Sequence, residues 1–152
     1  MKRKRMLTIP IIAGVLAFVA SWAIAAQDKY ALKVPSGLSF SEFRGYEAWQ
    51  PVSISQNGNH VAAILANPAM IKAYLAGIPG NGKPFPDGAR LAKIHWNPQK
   101  MEAFPAATVP GAQHDVDFMV KDSKRFADSG GWGYGVFDYD AASDTFTPRR
   151  NG

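Results

Sequence analysis

The sequence predicts an α+β domain, a mainly antiparallel β-sheet with a few helices packed on one side. Three observations carry this: short apolar–polar alternations recur along the chain, tight Gly-, Asn- and Asp-containing turns join neighbours, and strand candidates outnumber helix candidates.

The elements follow in order. Lys2, Arg3, Lys4 and Arg5 precede an apolar stretch from Met6 to Ile24, and Ala23 and Ala25 have the small-residue spacing that signal peptidase cleaves. Residues 1–25 are expected to be a cleavable signal peptide, with an uncleaved anchor as the alternative reading. Residues 26–152 are then one exported, periplasmic domain, long enough for a single core. After a polar lead-in, Phe40, Phe43, Tyr46 and Trp49 recur every third residue, with Ser39 or Ser41 available as cap, which predicts a short amphipathic helix. Pro51 to Gln56 alternates, Asn57-Gly58 is a hairpin dipeptide, and His60 to Ala66 returns as a second strand. Asn67-Pro68 opens a helix carrying Met70, Ile71, Tyr74 and Leu75, which Gly77 and Pro79 stop. PGNGKPFPDG, residues 79–88, is a turned loop. Arg90 to Trp96 is a strand with Leu91, Lys93 and His95 on one face, the Pro-containing stretch Asn97 to Gly111 reads as a surface loop, and His114 to Val120 as another strand. Asp122 to Ala127 fits one helical turn, Trp132 to Tyr139 a strand, and Thr145 to Thr147 its return after a turn at Asp140 to Asp144.

Composition excludes several function classes. The basic N-terminal run holds four of the seventeen Lys and Arg residues and none of the twelve acidic ones, so the remaining domain is close to neutral and has no clustered basic face for nucleic acid. Cysteine is absent, which excludes disulfides, thiolate metal sites, cysteine nucleophiles and thioether-bound haem through C-x-x-C-H within these residues. His60, His95 and His114 share no spacing that makes a metal site, so no metal is expected from protein ligands. The run Gly130 to Gly135 precedes a strand rather than a helix and is no phosphate loop. Gly133 and Gly135 on one strand face either leave a flat platform for a planar group or are filled by a neighbouring side chain. Lys93, mid-strand among apolar residues, either snorkels to solvent or points its amine into a pocket.

Longer motifs carry more. FRGYEAW, NPxMIxAYxAGxPGNGKPFPDG, AKIHW, VDFxxKDSKRF and GGWGYGVFxYDAASDTFTP occur in this order between residues 30 and 148, and in them the chain resembles the cytochrome P-460 family. The resemblance implies a periplasmic β-rich domain with one c-type haem, often a homodimer, whose members oxidise hydroxylamine or bind nitric oxide and pass electrons to a redox partner. In that family a lysine shortly after an F-x-D-G turn cross-links to the macrocycle. Phe85-Pro86-Asp87-Gly88 followed by Lys93 has this spacing, so the resemblance assigns the cross-link to Lys93 and makes Gly133 and Gly135 a possible haem-facing strand. It also implies a pocket carboxylate upstream of KDSKRF, matched by Asp117, with Asp115 as the alternative. The family's C-x-x-C-H segment, which supplies the axial histidine, follows the DTFTP stretch, whereas here Arg149-Arg150-Asn151-Gly152 ends the sequence. The expectation is therefore a domain truncated at its C-terminus that does not hold haem c in the family's manner. The rival expectations are a haem-free small-molecule binding module and a non-functional remnant.

Overall fold

Period-two alternation of apolar residues produces six strands: β1 (Gln50–Asn57), β2 (His60–Ala66), β3 (Arg90–Met101), β4 (Phe104–Lys121), β5 (Trp132–Asp140) and β6 (Thr145–Pro148). In the computed structural model, which describes residues 26–150, they pair in chain order as one antiparallel sheet. The expected signal peptide lies outside the described residues.

One sheet face is largely apolar. Ala92 and Ile94 from β3, Val116, Phe118 and Val120 from β4, and Phe137 from β5 form its core with Val34, Leu38, Phe40, Phe43 and Tyr46 of the preceding segment. Phe43 stacks on Phe118 with centroids 4.1 Å apart, and Phe40 meets Phe118 and Phe137 edge-on at 5.1 and 4.9 Å. Such offset and edge-to-face pairs add to area burial and fix the rings in one arrangement.

The segment that delivers Phe40 to Trp49 differs from expectation. It forms two 3-10 turns, Phe40–Phe43 and Tyr46–Ala48, separated by Gly45 with φ +78°, which breaks any continuous helix while keeping the aromatics on the core side. The expected loop from Asn97 to Gly111 is instead a two-stranded arm, with Pro98 opposite Pro110. Prolines are tolerated there because β2 pairing ends at Trp96 and β5 pairing at Asp115, so each arm strand has a free edge.

Helical elements occupy both faces rather than one. The 3-10 turns cover the main core, whereas α1 (Pro68–Leu75) places Met70 and Ile71 against Ala66, Ala89, Leu91, Phe85 and Trp132 in a second cluster on the opposite face. The reason is that Leu91 and Trp132 make one end of that second face apolar too. Asn67 fixes the position of α1: its Oδ1 accepts from the N–H groups of Met70 and Arg90, both at 3.0 Å, and its Nδ2 donates to the Gly88 carbonyl at 2.9 Å. Asn67→Ala is expected to cost about 2 kcal/mol in a denaturant titration, the upper end for a helix cap, because the half-buried Arg90 N–H is orphaned as well.

Candidate functional site

Alternation that sends Ala92, Phe118 and Phe137 into the core sends Leu91, Lys93, His95, Asp115, Asp117, Met119 and Trp132 to the opposite face. This face is graded. Beneath α1, Ile64, Met70, Leu91, Phe85, Met119 and Trp132 line a mostly apolar cleft of about 370 Å³. At its middle Lys93 of β3 stands directly opposite Asp117 of β4, with Ile64 of β2 on the other side. Beyond them the face becomes ionic, with His95, Asp115, Asp138 and Arg149.

The cleft is held open by its margins. Asp87 of the F-P-D-G turn accepts hydrogen bonds from the Ser123 N–H at 2.8 Å and the Ser123 hydroxyl at 2.7 Å, while Gly88 N–H donates to the Lys121 carbonyl. These bonds tie the residue 79–88 loop to the KDSKRF segment and set where β3, and hence Lys93, begins. Lys121 donates to the Gly130 carbonyl at 2.7 Å and lies over the Trp132 ring, which keeps that indole against Phe85.

The ionic end is dense. His95 Nδ1 lies 2.5 Å from Asp115 Oδ1 and 4.0 Å from Asp117 Oδ2, and His114 Nδ1 lies 3.0 Å from Asp115 Oδ2. Arg149 donates to Asp115 Oδ2 at 3.0 Å and is paired with Asp138. Burial alone would raise the Asp115 carboxyl, but bonds from His95, His114 and Arg149 outweigh it and hold it below its ordinary value. Asp117 has no such partners; burial first, then the Asp115 charge, push it above its ordinary value.

Sequence-predicted residues fall into two groups. Lys93 and Asp117 share the graded face as cross-strand neighbours, and Asp115 joins them there. Gly133 and Gly135 do not: they face the core, where a Cβ on Gly133 would collide with the Phe126 ring and one on Gly135 would meet Leu38 and Val34. Of the two readings of this glycine pair, the filled one describes the fold, and no platform for a planar group exists on that strand face. The convergence of all three histidines was not legible from spacing. His60 lies on β2, His95 on β3 and His114 on β4, yet the His60 ring is 5.7 Å from His95 and 4.5 Å from His114. Only the strand register brings them together.

Fold and face thus define a β-rich α+β domain with an amphipathic sheet face that carries an apolar cleft, a lysine and a carboxylate. Comparison with known families identifies it further: residues 43–151 match the cytochrome P-460 family, and the chain belongs to that family. It is accordingly a haem-related domain. A search of curated proteins gives no match.

Proposed function

We infer that the Lys93 face is where this domain engages the family's haem, and that Lys93 and Asp117 are its reactive residues. One observation carries the reading: two residues nominated separately by the family resemblance prove to be direct cross-strand partners beside the apolar cleft. The cleft's composition fits an apolar macrocycle, and Lys93, the cross-strand neighbour of the cleft-lining Ile64, fits a covalent tether. No cysteine is present in the 152 residues, so these residues supply no thioether bond, and Lys93 is the covalent candidate.

Bound haem supplies one-electron redox chemistry. The chain's own contribution is to orient and to move protons. Ile64, Leu91 and Met119 exclude water on one side of Lys93. Asp117, whose raised pKa makes it a better proton acceptor than an ordinary aspartate, takes protons from a small nitrogen compound such as hydroxylamine as electrons leave it for a redox partner. Export to the periplasm suits this role. Exposed Val52 and Ile54 on the edge strand β1 support association as a homodimer.

The test is a visible absorption spectrum of the chain purified from a host competent in c-type haem maturation. The expected result is a Soret band, with haem retained on the denatured chain and lost entirely from it in Lys93→Ala. A featureless spectrum from folded wild-type protein would overturn the reading and leave the cleft to a colourless small molecule.

A further inference from the structure

The ionic end of the open face has a geometry that proton transfer at Lys93 and Asp117 does not require. We propose that His95, Asp115 and Asp117 form a mononuclear site for a borderline divalent transition-metal ion, of which Zn²⁺ is the probe. The site rests on these side chains alone and not on the haem reading.

Three donor atoms are already gathered. One ligand atom from each of His95, Asp115 and Asp117 lies within 4.8 Å of the other two. Around a tetrahedral Zn²⁺ with bonds of about 2.1 Å, ligands stand roughly 3.4 Å apart. The 2.5 Å separation of His95 Nδ1 from Asp115 Oδ1 must widen and the 4.0 Å separation from Asp117 Oδ2 must close, each by less than an ångström or so. The first is a proton-bridged contact, so an ion takes the place of the proton.

The surroundings are arranged as an outer shell. Asp115 Oδ2 is occupied by His114 at 3.0 Å and Arg149 at 3.0 Å, which leaves Oδ1 turned toward His95. Hydrogen-bonded carboxylate ligands of this kind keep their orientation when a metal enters. The β3–β4 register shifts between His95 and Trp96, so that β4 carries an extra residue there, and that residue is His114. A bulge of this kind re-aims a side chain at the cost of ladder pairing, and here it sets the His114 imidazole against Asp115. The His60 ring, 5.7 Å from His95, comes from a third strand.

Donor chemistry selects the ion. Imidazole with two carboxylates and no thiolate suits Zn²⁺, Co²⁺, Ni²⁺ or Cu²⁺, and disfavours Cu⁺, which needs sulfur, and Mg²⁺ or Ca²⁺, which favour all-oxygen shells.

Calorimetric titration of Zn²⁺ into the full chain, produced without haem and stripped with chelator, tests the site, with Co²⁺ giving a visible ligand-field band as a second readout. One ion per chain is expected. His95→Gln is expected to weaken binding at least a hundredfold and abolish the Co²⁺ band, while His114→Gln, which steadies Asp115 without ligating, weakens it about tenfold. Near-UV circular dichroism of each stripped variant reports whether it is folded. If His95→Gln does not fold, Asp117→Asn takes its place, with a drop of at least about tenfold expected from loss of a ligand. Absence of saturable binding to wild-type protein, or undiminished binding by the folded variant, would overturn the site.

Discussion

Phe118→Ala is expected to lower the free energy of unfolding by about 4 kcal/mol, read from the midpoint and slope of a urea titration. The ring is 1% exposed, stacks on Phe43, is met edge-on by Phe40 and Tyr46 and lies 5.7 Å from Phe137, so truncation leaves a cavity walled by both 3-10 turns and by β5. Those walls cannot collapse together, because Phe43 and Phe40 are held by a 3-10 turn whose Ser39 N–H is bonded by Glu42, itself clamped by Arg125. The effect reaches the functional face. Phe118 sits between Asp117 and Met119 on β4, so the ring that anchors one side of the strand also fixes the side chains on the other. A loss below about 1 kcal/mol would show that the core is not organised around this ring.

What the sequence made legible follows from how local each signal is. The Asn67-Pro68 helix start depends on residues within one turn of each other and stands where local chemistry puts it. The hairpin expected at Asn57-Gly58 turns one residue later, at Gly58-Asn59, because Asn57 pairs with His60 and its side chain accepts from the Asn59 and His60 N–H groups. The helix expected from Phe40 to Trp49 had the right apolar period, but a three-residue period also suits 3-10 turns, and Gly45 decided between the two. In the arm at residues 97–111, proline content pointed to a loop; the outcome turned on whether each strand had a neighbour on its outer edge, which is a property of the whole sheet.

The site divides the same way. Lys93 and Asp117, with Asp115 as the alternative to the latter, are nominated one at a time by the family resemblance, and their pairing rests on the β3–β4 register. For Gly133 and Gly135 the alternation was readable, but not which face of the sheet would be filled by Phe126, Val34 and Leu38. Distances of tens of residues separate His60, His95 and His114, so no spacing rule joins them; a bulge and three strand registers do.

Replacing Asp115 by Asn tests the ionic end most severely, and about 3 kcal/mol of stability is expected to go at neutral pH in the presence of a chelator. The Asp115 side chain is 7% exposed and faces His95, His114 and Arg149, so the neutral amide leaves donors facing donors. Arg149 is 38% exposed, and water recovers part of what it loses, which sets the figure at the low end for a broken buried pair. The pH dependence distinguishes this from a packing defect. Asp115 is held below its ordinary value in the folded chain, so its contribution is complete above the unfolded value of about 4 and is lost as pH falls through the lower folded value. Asp117 is raised, so its contribution has the opposite sign: present in acid, it is lost as pH climbs from about 4 through its folded value. Because Asp115 is the second cause of that rise, its removal also relaxes Asp117 toward ordinary behaviour. Unfolding free energies of wild type and Asp115→Asn measured from pH 7 downward should therefore differ most at neutral pH and converge below about pH 4. A gap that stays constant across this range would mean that Asp115 acts through its shape, and that the ionic end of the face is not held by charge.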